Sequence, residues 1–157
     1  MKHKLLFLFG LMLLYCSIVH AANTLKVQDV QLTPGGSVTL NIELNNSSSN
    51  LMGWQCDITL PNGLSLALKA NGKPMATLGS RFSTTEHSIS TNVLSNGSYR
   101  FIATSLDGEA IPGSSGTLFS VTLQADASLT AGSSFTGKLQ NIELNTQSNQ
   151  SSRRKMK

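Results

Sequence analysis

The sequence predicts an all-β protein, a sandwich of two facing antiparallel sheets built from about eight or nine strands. Three observations carry that expectation. Apolar residues recur at every second position through the body of the chain, turn-forming residues separate those runs at short intervals, and no segment beyond the first 21 residues has a helical period.

The first 21 residues stand apart. Lys2, His3 and Lys4 form a basic start, Leu5 to Val19 is an almost unbroken apolar run, and Val19 and Ala21 place small residues where a signal peptidase requires them. A cleaved signal peptide over residues 1–21, cut after Ala21, is therefore expected. The run is shorter than the roughly 20 apolar residues that span a bilayer, and no positive flank follows it. Cys16 near its end suggests a lipid anchor, but Tyr15 stands where lipoprotein processing needs a small residue.

The strands follow in order. Leu25 to Leu32 opens the domain, and Pro34-Gly35-Gly36 turns into the clearest alternation, Val38, Leu40, Ile42 and Leu44 against Thr39, Asn41 and Glu43. After the polar loop Asn45 to Asn50, Met52, Trp54, Cys56, Ile58 and Leu60 share a face opposite Gly53, Gln55, Asp57 and Thr59. Pro61-Asn62-Gly63 is a turn, and Leu64, Leu66 and Leu68 resume the pattern. Asn71 to Glu86 has no clean period and is expected to be a long connection with room for a short strand or helical turn. His87 to Leu94 and Tyr99 to Ser105 flank Ser95-Asn96-Gly97-Ser98, the strongest hairpin signal in the chain, because Asn-Gly accepts the positive φ angles of a tight turn. Leu106 to Gly116 is a glycine-rich loop. Phe119, Val121 and Leu123 mark another strand, and Phe135 to Leu144 the last one or two. A closed barrel is the rival architecture, though the long central connection suits a crossing between two sheets.

Charge excludes a nucleic-acid footprint. The net charge of +4 rests on Lys2, Lys4, Arg153, Arg154, Lys155 and Lys157 at the two ends; without them the remaining basic residues are outnumbered by the 8 acidic ones. Beyond the leader Cys56 is the only cysteine, so no internal disulfide forms and apolar burial must hold the domain.

Few groups could support chemistry. His87 is the only histidine beyond the leader, and at the start of a strand beside Glu86 a solvated edge histidine is expected. Asp107 and Glu109 offer either the paired carboxylates of a glycosidase or two ligands of a calcium site. Asp107-Gly108 is also an ordinary turn, and calcium takes several more oxygens. One Cys and one His do not make a zinc site. Trp54 exposed would be a sugar-stacking platform, but its phase with Met52, Cys56, Ile58 and Leu60 places it in the core, as Tyr99 and Phe101 are placed by theirs. No cofactor, no metal and no catalytic residue is expected. Trp54, Asp107 and Glu109 stand as the candidate binding residues.

The order of these signals resembles the cohesin domain. Pro34-Gly35-Gly36-Ser37-Val38-Thr39-Leu40 supplies a proline-glycine turn before an alternating strand. Met52-Gly53-Trp54-Gln55-Cys56-Asp57-Ile58 supplies the strand of small, apolar, polar, apolar, Asp and apolar residues that follows in that family. Asn96-Gly97-Ser98-Tyr99-Arg100-Phe101 and Gly116-Thr117-Leu118-Phe119-Ser120-Val121-Thr122-Leu123 fit the same pattern, and the resemblance runs from Thr24 to Leu144. It implies a jelly-roll sandwich related to cellulose-binding modules and a dockerin as protein partner. One departure stands out: such domains close with a further apolar strand, whereas here the chain turns polar and then basic. The resemblance therefore implies a missing C-terminal strand and an uncovered sheet edge.

The expected organisation is a signal peptide at 1–21, a sandwich domain at 22–144 and a polar, basic tail at 145–157. The expected function is that of a secreted, non-catalytic adaptor, extracellular, at the cell surface or periplasmic, that binds another protein in polysaccharide degradation or a surface assembly. A carbohydrate-binding module and a structural or adhesin-type spacer are the alternatives. An exposed aromatic row would favour the former, and the sequence displays none.

Overall fold

The computed structural model describes residues 23–46 and 50–146, so the leader and most of the C-terminal tail lie outside the described residues. Nine strands occur among them: β1 (Thr24–Val27), β2 (Ser37–Asn45), β3 (Leu51–Thr59), β4 (Leu64–Leu66), β5 (Ala76–Leu78), β6 (His87–Val93), β7 (Tyr99–Ser105), β8 (Ser115–Ala125) and β9 (Lys138–Thr146). They form two antiparallel sheets. One runs β1-β2-β8-β4, with β5 also on β8, and the other runs β6-β7-β3-β9. The expected sandwich is present.

The alternating residues are the reason these strands face each other. Leu40, Ile42 and Leu44 of β2 and Phe119, Val121 and Leu123 of β8 line one inner face; Trp54, Cys56, Ile58, Phe101 and Ala103 line the other, and all are buried. The layers meet at an aromatic stack. Trp54 lies against Phe119 with centroids 4.6 Å apart and planes at 12°, and Phe101 reaches the same Phe119 ring at 4.8 Å. Leu118 is the extra residue of a bulge opposite Ile42 and Glu43, which buries Leu118 and Phe119 together.

The β6–β7 hairpin forms where Asn-Gly requires it. Gly97 takes φ +81°, Asn96 Oδ1 accepts from the Ser98 N–H at 3.0 Å, and His87 to Val93 pair with Ser105 to Tyr99. Two segments depart from expectation. The opening strand ends at Val27, because residues 28–34 leave the sheet and fold over the open end of the sandwich, where Val30 and Leu32 pack on the core. The last strand begins only at Lys138, leaving Phe135 outside it, and continues to Thr146, two residues past Leu144.

The long connection is built around Arg81. β5 pairs with β8, and Gly79 then lies so close to β8 that a Cβ there would collide with the Thr117 carbonyl oxygen. A single 3₁₀ turn, Ser80–Phe82, follows. From it Arg81 donates to the carbonyl oxygens of Pro112 (2.6 Å), Gly113 (2.8 Å), Leu44 (3.4 Å) and Gly116 (3.5 Å), and to Asn46 Oδ1 (3.0 Å). One side chain thus ties the turn, the end of β2 and the loop before β8. Burial pulls its pKa below the usual arginine value, and carbonyl oxygens supply the compensation.

Candidate binding face

Alternation fixes what the β6-β7-β3-β9 sheet shows on its outer side. With Trp54, Cys56, Phe101 and Ala103 turned inward, the intervening residues turn outward, and the register aligns them in three cross-strand rows. These are Ser88–Thr104–Gly53–Asn145, Ser90–Ile102–Gln55–Glu143 and Asn92–Arg100–Asp57–Gln140. The face is flat, polar and without an aromatic ring. Its apolar area comes from Ile102 in the middle row, 36 % exposed, and Leu106, which continues the outward phase of β7 and is 83 % exposed.

An ion pair anchors the lower row. Asp57 belongs to the solvent side of a central strand yet is 1 % exposed, because its neighbours close over it. Arg100 Nε donates to its Oδ1 at 2.7 Å, and Arg100 Nη2 to Oδ2 at 2.8 Å. Asn141 Nδ2 donates to Oδ2 at 2.7 Å from the other flank. Asn141 adopts φ +48°, which an Asn tolerates, at a bulge between the Gln55 and Asp57 registers. The Arg100 and Asn141 bonds hold the Asp57 carboxyl below its ordinary pKa despite its burial, and Asp57 raises that of Arg100. Reading the sequence placed Asp57 on an outward phase but gave Arg100 no role and missed their pairing, since 43 residues separate them and alternation carries no register.

The candidates named from sequence do not converge. Trp54 is 0 % exposed, stacked on Phe119, and presents no face to a sugar. Glu109 is engaged in the fold: its Oε2 accepts from the Glu86 N–H at 2.7 Å, and its own N–H donates to Ser105 Oγ at 3.0 Å. Asp107 is exposed in the same loop. Among the described residues no three His, Cys, Asp or Glu side chains gather as metal ligands.

His87 is not the solvated edge histidine expected. It occupies an inward phase of β6, is 9 % exposed, contacts Thr85 Oγ1 through Nδ1 at 2.8 Å and leans on Phe82 at 5.0 Å. Burial lowers its pKa, opposed in part by the Met52 backbone and the Glu109 carboxylate. Cys56 is buried beside Asp57, and its thiol is pushed up to about 12, first by burial and then by that charge.

The outer side of the other sheet is polar as well, with Thr39, Asn41, Ser120 and Thr122 on its central strands. At the end of the sandwich an open groove of about 850 Å³ lies between residues 27–34 and 129–139, floored by Leu40, Ile58, Leu123 and Leu139. Phe135 beside it, 41 % exposed, is the most exposed aromatic ring among the described residues.

Two facing antiparallel sheets with an open, neutral and polar outer face define a β-sandwich module. Its family follows from comparison: the chain matches the model of the cohesin domain over residues 23–155, and it belongs to that family. Solved structures agree on the fold. A non-cellulosomal cohesin from the archaeon Archaeoglobus fulgidus is 17 % identical, with TM-score 0.59 and coverage of 80 % of this chain and 79 % of that one. A type I cohesin–dockerin complex from Clostridium thermocellum gives 14 %, TM-score 0.67, and 82 % and 89 %. The sixth cohesin of Acetivibrio cellulolyticus scaffoldin B, in complex with a Cel5 dockerin, gives 15 %, TM-score 0.63, and 80 % and 87 %. Comparison with the sequences of curated proteins gives no match.

Proposed function

We propose that this cohesin domain is an exported, non-catalytic adaptor that takes a dockerin-type protein on the outer face of its β6-β7-β3-β9 sheet. The observation that carries the reading is the cohesin match over residues 23–155, joined to solved relatives of the same fold that are complexes with dockerins. The face has the make-up of a protein interface: apolar anchors at Ile102 and Leu106 among neutral polar groups, with one paired arginine. The opposite sheet face is polar without comparable anchors on its central strands. The basic and apolar leader over residues 1–21 supports export, and polysaccharide degradation or a surface assembly is the setting the family suggests. No helix among the described residues is long and apolar enough to cross a membrane.

The test is titration calorimetry of the domain against a panel of dockerin modules of the known types, with insoluble cellulose and xylan as competing surfaces. Saturable one-to-one binding of at least one dockerin, abolished by the double variant Ile102→Asp/Leu106→Asp, is expected. A folded domain that binds no dockerin, or that binds the polysaccharides instead, overturns the reading. Export is checked separately by N-terminal sequencing of the protein from an exporting bacterial host, which should begin at Ala22.

A further inference from the structure

On that reading of the face, we propose that Arg100 is its specificity-determining residue, a guanidinium locked in place by Asp57 and Asn141 so that its free edge receives a neutral carbonyl oxygen of the partner. A nearly inaccessible carboxylate on the solvent side of a sheet is a poor source of stability, because an apolar pair of similar volume commonly does as well. Its geometry does something else. Asp57 takes the Nε and Nη2 donors of Arg100 in a side-on bidentate contact, at 2.7 and 2.8 Å. That contact fixes the plane of the guanidinium and leaves the Nη1 end, which makes no hydrogen bond to the described residues, pointing away from the carboxylate. The arginine side chain is still 32 % exposed, so this end is open to a partner.

Asn141 supports the arrangement from the far side. Its left-handed backbone and the β9 bulge aim its amide at the same Asp57 Oδ2, so the carboxylate is held by two strands and cannot swing with the arginine. A donor held in this way loses little rotamer entropy on binding, which is how arginine comes to dominate many interfaces.

The surrounding charge selects the acceptor. Asp57 already neutralises Arg100, Glu143 adds negative potential at the guanidinium, and the remaining members of the row, Asn92 and Gln140, are neutral. An incoming carboxylate meets net negative charge. A main-chain or amide carbonyl meets a free N–H fork without that repulsion, and a partner lacking one leaves the fork desolvated and unpaired.

The experiment uses whichever dockerin of the panel binds the wild-type domain. Its affinity is measured against Arg100→Ala, Arg100→Lys, Asp57→Asn and Asn141→Ala, each checked for folding by circular dichroism and melting. Arg100→Ala and Arg100→Lys should both lose about 30-fold or more, as hot-spot arginines do, because lysine offers a point charge and no fork. Asn141→Ala keeps the ion pair, should lose on the order of 10-fold, and should raise the mobility of the Arg100 Nε–H in ¹⁵N relaxation, a readout that loss of packing alone would not move. The dissociation constant should change by less than about 3-fold between low and high salt, as expected of a neutral acceptor. Wild-type affinity in Arg100→Lys, an Arg100 Nε–H already mobile in the wild type, or steep weakening by salt overturns the proposal while leaving the dockerin reading standing. A wild-type domain that binds no dockerin fails the reading itself.

Discussion

Removing the Arg81 guanidinium should loosen one end of the sandwich, and the size of the effect can be worked from its contacts. Three of its bonds are short, to Pro112 O, Gly113 O and Asn46 Oδ1, and two are marginal at 3.4 and 3.5 Å. Hydrogen bonds to charged groups contribute about 1.5–3 kcal/mol each, so the three short ones set an upper limit of about 5–9 kcal/mol. Arg81 is only half-buried, and once its tip is gone water reaches the abandoned carbonyls, so the observed loss should fall to about 2–4 kcal/mol. Arg81→Met is the informative variant, because it keeps the apolar stem and deletes only the donors. Arg81→Lys keeps the charge but cannot serve acceptors on three segments at once, and should fall between. Urea unfolding followed through Trp54 emission gives both values, since that indole is wholly inside the cooperative core. A cost below about 0.5 kcal/mol for Arg81→Met, the level of an ordinary surface change, refutes the view that this residue ties the connection to the sandwich.

Three other outcomes are expected. Trp54→Ala should cost roughly 3–5 kcal/mol in the same assay, as buried aromatic truncations do, while Trp54→Phe preserves a ring against Phe119 and should cost clearly less. Because burial holds the folded pKa of His87 below 6.5, the unfolded chain takes up a proton more readily. The stability that His87 contributes is complete above about pH 6.5 and is lost as pH falls through the lower folded value. Melting temperatures across that range should slope downward on acidification in the wild type and less steeply in His87→Gln. Cys56, buried with its thiol pushed up to about 12, should ignore a thiol reagent in the native protein and react only after unfolding, so fast native labelling would contradict the placement of β3.

How much of this was legible in the sequence depends on the range over which each feature is encoded. Val38 to Leu44 and Met52 to Leu60 announce their strands because alternation is local, and Asn96-Gly97 announces its hairpin because the turn chemistry lies in adjacent residues. The end of β1 was not legible. Leu25 and Val27 share one phase and Val30 and Leu32 the other, and that one-residue slip does not by itself tell a bulged strand from a segment that leaves the sheet to cover the open end of the core, as this one does. Arg81 gave no signal, since its acceptors are main-chain carbonyls that any residue supplies. The binding face was half legible: alternation assigns Asp57, Arg100 and Ile102 to outer phases, but which strands are neighbours, and in what register, is decided by the whole fold. Asn141 was hidden further, because a bulge breaks the period that would have revealed it.

The strand order has a kinetic consequence. Only β1 with β2 and β6 with β7 join neighbours along the chain; β2 must also find β8, and β3, at the centre of its sheet, is enclosed only by β7 and β9. As the chain emerges in order, β2 and β3 therefore wait without their long-range partners until nearly all nine strands are available, and such non-local pairing is slow. During that interval the alternating runs from Val38 to Leu60 remain extended and apolar, β2 with one edge open beside β1 and β3 with both edges open, which makes them attractive sites for a holding chaperone and exposes them to aggregation if none arrives. A chain that folds late also stays threadable for longer, and a translocation channel accepts only a threadable chain.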